Sequence, residues 1–333
     1  MKKKLAILLT ALLGLALLVA GAEIVVRFAT KLARRLHVPP IVIGLTVLSI
    51  GTSMPELGVG ITGMQSHLGN LVFANIVGTN VVNILLIFGL SALIRPIAIH
   101  KVTMRLELPA IIATSVLLVL LTLGGSLAAW QGAILLAAGI AFLCWVVITA
   151  RHRSERQPDD PQLLAEIEEV DHSPLRPGRC WLLVDILLTV AGLAVIKLGA
   201  DWFLDGAVGI ASDLGISDTM IGLTVVAIGT SAPELFTTVV ATVRGKRDLA
   251  IGDLLGSSVL NLTVILGGSS LFLGRQVLEL DRRLLTVNLP IMAAVAVILL
   301  PIFLTGRRVT RTEGGLMVAG YAAYLTFLIS TAT

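Results

Sequence analysis

Ten apolar stretches run through this 333-residue chain, at about 5–28, 39–64, 70–94, 106–124, 127–149, 180–205, 217–243, 248–273, 284–304 and 313–331. Each is long enough to cross the roughly 30 Å hydrocarbon core of a bilayer as a helix. Backbone placed in lipid must satisfy its own N–H and C=O groups, and a helix does so within one segment. The expected fold is therefore an all-α polytopic membrane protein with ten transmembrane helices. Charged residues make up 14% of the chain, against about a quarter in soluble domains, which excludes an ordinary cytosolic enzyme. The 32 glycines suit close helix packing in lipid. Cys144 and Cys180 form no metal-ligand spacing, and nothing supports nucleic-acid binding.

Spans five and six are separated by the one long polar segment, Arg151 to Arg179, with Pro158, Pro161, Pro174 and Pro177 and the acidic run Glu166, Glu168, Glu169 and Asp171. It divides the chain into units 1–150 and 180–333 joined by a linker, 151–179. The acidic run lacks the Gly-bearing spacing of a calcium loop and reads as a solvated face. With the N-terminus outside, the loops after spans 1, 3, 5, 7 and 9 hold 17 of the 25 Lys and Arg residues. Basic residues gather in cytoplasmic loops, so both termini are expected outside a plasma (inner) membrane, with the linker cytoplasmic. Lys2, Lys3 and Lys4 pull the other way and, with the following apolar run, have the form of a signal peptide.

An internal repeat argues against cleavage. A shift of 178 residues lays Gly44–Asn83 on Gly222–Asn261 without a gap, and 12 of 15 positions from Ile43 to Leu57 are identical in Ile221 to Leu235. The same shift places Gly21-Ala22-Glu23 on Gly199-Ala200-Asp201, so the first span belongs to the repeated unit. Each unit has five spans. An odd number sends the second copy into the membrane the other way up, giving two inverted five-helix repeats. That is the architecture of many secondary transporters, whose substrates lie near the midplane between interrupted helices.

Within the repeat, Gly51-Thr52-Ser53-Met54-Pro55-Glu56 pairs with Gly229-Thr230-Ser231-Ala232-Pro233-Glu234, each about halfway along an apolar span. An interior Pro lacks an N–H and clashes with the carbonyl one turn earlier, so beside Gly and two hydroxyl residues it opens the helix and frees carbonyls. A carboxylate at that depth costs about 2.5–3.5 kcal/mol on insertion scales and must face a cavity, a counter-ion or a proton. Two such breaks assemble an all-oxygen pocket suited to hard cations such as calcium or sodium. The simple alternatives are a packing kink for the prolines and hydroxyl-to-backbone bonding for Thr52, Ser53, Thr230 and Ser231.

The next span of each unit carries a stripe at spacings of four: Asn75, Thr79 and Asn83, then Asp253, Ser257 and Asn261. Each stripe covers about 12 Å of one helix face. Gly78 and Gly256 are expected to let these helices approach the broken ones. Asn83 and Asn261 read as ligands, whereas Asn75 and Asn80 read equally well as interhelical hydrogen bonders. Glu23 and Asp201 read as interfacial anchors, and His67 and His100 as loop residues. No span supplies His or Lys as a base for the motif hydroxyls, so there is no catalytic residue to name.

At these residues the sequence resembles the sodium/calcium exchanger family of the cation/calcium antiporter superfamily, particularly its compact prokaryotic members. The resemblance covers all ten spans and implies exchange of calcium for sodium by alternating access, driven by movement of the first and sixth helices. It implies no cofactor and no obligate protein partner beyond the transported ions and the bilayer. By resemblance, Glu56 and Glu234 bind calcium and share sodium, with Thr52, Ser53, Thr230 and Ser231 beside them. Thr79, Ser257, Asn83 and Asn261 fall on the remaining polar ligand positions, and Ser49 and Ala227 on positions that offer a backbone carbonyl.

Three departures stand out. Asn261 replaces an acidic residue found in some members, which leaves two carboxylates for the central pocket. Asp253 and Ser258 stand where Asn is common, and Asp253 has two readings: a group at the pocket or its vestibule, or a partner of a basic residue such as Arg247. Asn70 and Ala74 depart from the Asp-x-x-x-Gly pattern kept at Asp248 and Gly252. Coupling to protons instead of sodium, or passive cation conduction, remains open at this point.

Overall fold

The computed structural model of the chain describes residues 2–36, 38, 40–99, 106–156, 179–213, 227–306 and 308–330. Most of the linker (157–178), His100 and the first part of the expected span 217–243 lie outside them. Six segments are long and apolar enough to cross a membrane: Ala6–Leu36, Gly69–Ile94, Ala129–Thr149, Trp181–Gly206, Arg247–Leu273 and Leu284–Phe303. Ile41–Thr52 and Met54–Gln65 meet at 43° and make a seventh when taken as one broken span. The chain is thus a mostly helical, multi-pass membrane protein. Of the ten expected spans, the others are represented by shorter or more polar helices. Leu108–Leu121 and Ala232–Val243 are apolar but short, and Arg311–Ser330 is diluted by Gly314, Gly315, Gly320 and two tyrosines.

In chain order the helices are α1 (Lys2–Leu36), α2 (Pro40–Ile43), α3 (Ser49–Thr52), α4 (Met54–Gln65), α5 (Gly69–Val81), α6 (Gly89–Ile94), α7 (Leu108–Leu121), α8 (Ala129–Arg156), α9 (Arg179–Asp213), α10 (Ala227–Thr230), α11 (Ala232–Val243), α12 (Arg247–Leu260), α13 (Leu266–Ser270), α14 (Leu289–Gly306) and α15 (Arg311–Ser330). Wide π turns, which accommodate an extra residue and recur at functional sites, join α2 to α3 (Gly44–Leu48), α5 to α6 (Val82–Phe88) and α12 to α13 (Asn261–Ile265). A fourth, Leu284–Asn288, leads into α14.

Helix α1 outruns the expected span 5–28. Hydropathy falls at Arg27, but Ala29, Leu32 and Ala33 continue a buried stripe at helical spacing, so the helix holds to Leu36. Arg34 and Arg35 in its last turn complement the helix dipole, and Pro39-Pro40 then bars its continuation. Helices α1 and α9 lie against each other along most of their length. Glycines set their separation: a Cβ on Gly199 would lie 2.6 Å from the Leu18 nitrogen and 2.9 Å from the Gly14 carbonyl oxygen. Near one end Arg35 pairs with Asp185, whose side chain is 3% exposed. Arg35→Gln leaves that carboxylate without this partner, and a loss of about 1–2 kcal/mol is expected, discounted for the 12% exposure of Arg35. Thermal unfolding in detergent measures it.

Helix α12 forms the centre: every residue from Leu249 to Leu260 is buried. Its backbone presses on the broken helix at Gly44, where a Cβ would sit 2.5 Å from the Leu249 carbonyl oxygen, and at Gly256, where one would sit 2.9 Å from Leu45 Cα. The expectation of close approach thus holds at Gly256, whereas at Gly78 no described atom comes within 4 Å. Two short antiparallel ladders tie loops together. Strand β1 (Ile97–Ala98) pairs with β4 (Arg308–Val309), and β2 (Ser126–Ala128) pairs with β3 (Val277–Glu279). Asn70 clasps this second region: its amide donates to the Glu279 carbonyl and its Oδ1 accepts from the Asp281 N–H, both at 3.0 Å. That explains an amide at a position where the resemblance suggested a carboxylate.

Candidate cation site

The site is built where both copies of the Gly-Thr-Ser-x-Pro-Glu signature break. Ser53 has φ −86°, ψ 7° and Ser231 has φ −86°, ψ 8°, so the two copies break in the same way. In each, Pro occupies the first turn of the following helix, where a missing N–H is tolerated. Pro55 and Pro233 have no N–H and so cannot donate to the carbonyls of Gly51 and Gly229 one turn earlier. Glu56 and Glu234 fall in the first turns of α4 and α11, where the helix dipole favours negative charge.

Both carboxylates are enclosed, Glu56 at 2% and Glu234 at 0% exposure. Ser53 Oγ reaches across to donate to Glu234 Oε1 at 3.4 Å. The counterpart contact is not made: Ser231 Oγ, both oxygens of Glu56 and Glu234 Oε2 are buried with no hydrogen-bond partner among the described residues. Asn83 and Asn261 are fully buried, and the amide oxygen and nitrogen of each lack partners. Each Asn lies in one of the π turns. The turn carrying Asn83 packs on α11, the helix of Glu234, and the turn carrying Asn261 packs on α4, the helix of Glu56. Native proteins pair nearly all buried polar groups, so this concentration of bare oxygens marks a place for a ligand.

The remaining candidates distribute as follows. Thr52 and Ser257 are buried and meet, Oγ1 to Oγ, at 3.4 Å. Thr79 is buried on α5, which α10, the helix of Thr230, touches. Ser49 is buried; its carbonyl accepts from the Ser53 N–H at 3.2 Å, and its hydroxyl lies 2.7 Å from the Gly44 carbonyl oxygen and 2.9 Å from that of Asp253. Ala227 opens α10.

Outside the pocket, Glu23 pairs with Arg244 at 2.8 Å and Asp201 with Lys197 at 2.7 Å. Asn80 bonds within its own helix, to the Ile76 carbonyl. His67 sits at φ 60° in the exposed turn after α4.

Asp253 is not held by Arg247, whose guanidinium donates to the Pro96 carbonyl. It is fully buried, accepts from Thr237 Oγ1 at 2.7 Å and from Thr52 Oγ1 at 3.3 Å. Thr237 and Thr238 are residues that sequence reasoning passed over. Both are buried, and Thr238 Oγ1 has no described partner. The available signal was their spacing of three and four from Glu234, which puts all three on one helix face. Comparison of the repeats hid them, because the shift of 178 places Val59 and Gly60 opposite.

A model of the sodium/calcium exchanger protein family matches residues 6–148 and 184–330. The chain is 33% identical to CaxA of Alkalimonas amylolytica over 322 residues, covering 96% of this chain and 98% of CaxA. It is 31% identical to the sodium/calcium exchanger MaX1 of Methanosarcina acetivorans, covering 95% and 97%. Among solved structures it superposes on the sodium-calcium exchanger NCX_Mj soaked with 2.5 mM Na+ and 0.1 mM Ca2+, with a TM-score of 0.78 at 28% identity, covering 95% of this chain and 96% of that one. With the family model matching most of its length and two relatives matching nearly end to end, this chain belongs to the sodium/calcium exchanger protein family.

Proposed function

We propose that the chain is a secondary antiporter that exchanges calcium for sodium across the membrane by alternating access. The observation that carries this reading is the buried set of unpartnered oxygens on Glu56, Glu234, Ser231, Asn83 and Asn261, drawn from both copies of the signature. Hard cations are the ligands that such oxygens suit. Glu56 and Glu234 supply the charge, with Thr52, Ser53, Thr230, Ser231, Thr79, Ser257, Asn83 and Asn261 as neutral ligands and Ser49 and Ala227 acting through backbone carbonyls. Calcium and sodium are cargo in this reading, and no resident cofactor takes part.

The proposed architecture is ten helices in two inverted five-helix units, 1–150 and 180–333, joined by a cytoplasmic linker, 151–179. Strand pairing supports it. The loop after the third span pairs with the loop after the ninth, and the loop after the fourth with that after the eighth. Alternating crossings require those loops to share sides. Arg247 on Pro96 and Arg311 on Ile94 bring the loops after spans 3, 7 and 9 to one end. Their basic content makes that end cytoplasmic, with both termini on the outer side of an inner membrane.

The test is 45-calcium uptake into proteoliposomes loaded with sodium. Uptake driven by the outward sodium gradient, and abolished when choline replaces sodium, is the expected result. Uptake that ignores sodium but collapses with the proton gradient would assign proton coupling instead. Calcium movement that needs no counter-ion would make the protein a passive conductor.

A further inference from the structure

We propose that Glu23 and Arg244 form a one-sided latch, which favours the conformation with the pocket closed to the cytoplasm and has no equivalent favouring the opposite one. This rests on the alternating-access reading and the orientation given above.

The two units are packed differently. Helix α1 lies along α11, the half-helix that runs from Glu234 to the loop after the seventh span. Ala22, Val25 and Ala29 of α1 share one buried cluster with Ala232 and Ala241, and Phe236 packs against it. The shift of 178 lays α1 on α9 and α4 on α11, yet no comparable packing of α9 on α4 is found among the described residues. Met54, Gly58 and Thr62, the counterparts of Ala232, Phe236 and Val240, form an exposed stripe at spacings of four. Ala232 is 2% exposed and Met54 46%. The half-helix leading from Glu234 toward the cytoplasm is therefore covered, whereas the one leading from Glu56 toward the outside is not.

Glu23 fastens the covered side. Its carboxylate accepts from Arg244 Nε at 2.8 Å, at the C-terminal end of α11. Arg27, one turn further along α1, lies over the Phe28 ring, 5.8 Å from its centroid. The bond therefore ties α1 to the helix that carries Glu234. On the other side the charges do not match. Asp201, the repeat counterpart of Glu23, pairs with Lys197 of its own helix, and the counterpart of Arg244 is Ser66.

In a transporter of inverted repeats, the two end states exchange the environments of the two units. The opposite state brings α9 onto α4 and sets Asp201 beside Ser66, while α1 leaves α11 and Glu23 parts from Arg244. One ion pair between helices is lost and none replaces it. A contact made in one state alone shifts the balance toward that state. Both side chains are exposed, so the bias is modest and screened by salt.

The experiment uses the full chain carrying Cys144→Ser and Cys180→Ser, in detergent without calcium or sodium, and reads the rate at which a maleimide modifies one introduced cysteine. Ala241→Cys reports the opposite state, since position 241 is 1% exposed beneath α1. Val59→Cys reports the described one, since Val59 is 43% exposed and its counterpart Thr237 1%. Glu23→Gln and Arg244→Gln are each expected to raise the rate at 241 about threefold and to lower that at 59, with the double variant no different from either. Reversed charges, Glu23→Arg with Arg244→Glu, are expected to return both rates to the parent's. A merely loosened structure raises both rates together, and that result, or unchanged rates, overturns the proposal. Ser66→Arg gives Asp201 a basic neighbour in the opposite state and is expected to raise the rate at 241 with the native pair intact. No rise there overturns the proposal even where the variants at 23 and 244 fail to fold. Sodium-driven 45-calcium uptake by the parent tests the underlying reading: absence of exchange removes alternating access, whereas exchange with unmoved labelling removes the latch alone.

Discussion

Glu56→Gln is expected to lower sodium-driven calcium uptake by at least about 100-fold while making the ion-free protein more resistant to heat. The two effects share one cause. Neither oxygen of Glu56 has a hydrogen-bond partner among the described residues, and the side chain is 2% exposed, so the empty pocket bears an uncompensated desolvation cost. An amide of the same size removes the charge and most of that cost. It also removes half of the negative charge that matches a divalent ion. A loss of about 3 kcal/mol of cation binding corresponds to the 100-fold effect. Glu234→Gln should lower uptake comparably but stabilise the empty protein less, because Ser53 already donates to Glu234. The checks are 45-calcium uptake and the thermal midpoint in detergent with and without calcium. Ligand binding to the native state raises the midpoint by mass action, so both variants should lose the calcium-induced rise. Uptake within threefold of the parent in both would remove the two carboxylates from the site.

Gly199→Leu is expected to damage stability and transport together. The side chain would begin 2.6 Å from a backbone nitrogen of α1 and 2.9 Å from a backbone carbonyl oxygen, and neither atom can rotate aside. Helices α1 and α9 must separate, which forfeits packing that in lipid depends on close van der Waals contact. Overpacking typically costs 1–3 kcal/mol and more where backbone blocks relaxation, so a loss of about 3 kcal/mol and at least tenfold slower exchange are expected. Gly320→Ala is the control, since the nearest atom to its new methyl group is 4.0 Å away. Thermal unfolding in detergent and uptake in proteoliposomes measure both changes. Equal behaviour of the two variants would mean that the approach of α1 to α9 matters little.

The candidate site was legible in sequence wherever both units repeat the same chemistry. Gly-Thr-Ser-x-Pro-Glu and the two asparagines announce themselves because the shift of 178 aligns them and because carboxylates are expensive in lipid. Residues present in one unit alone were not legible in this way. Thr237 and Thr238 face Val59 and Gly60 across the repeat, and a lone threonine on an apolar helix usually bonds its own backbone. Asp253 was visible as an oddity, but its partner was not: Arg247 is nearer in sequence, yet it is spent on Pro96. The reach of α1 to Leu36 was missed because hydropathy averages over all faces, whereas burial follows one stripe.

By itself the sequence determined that the chain crosses a membrane many times, that two related units carry matched breaks, and that Glu56 and Glu234 sit where charge is least welcome. Those properties follow from composition, periodicity and identity along the chain. Tertiary structure decided which oxygens are left bare and which are used. Ser53 meets Glu234 while Ser231 and Glu56 meet no described partner, Ser49 spends its hydroxyl on backbone, and Asp253 lies between threonines of two different units. The reason is geometric: hydrogen bonds form or fail within a few tenths of an ångström. Gly44 and Gly256 let the broken helix and α12 approach closely, and no pattern along the chain records the resulting distances.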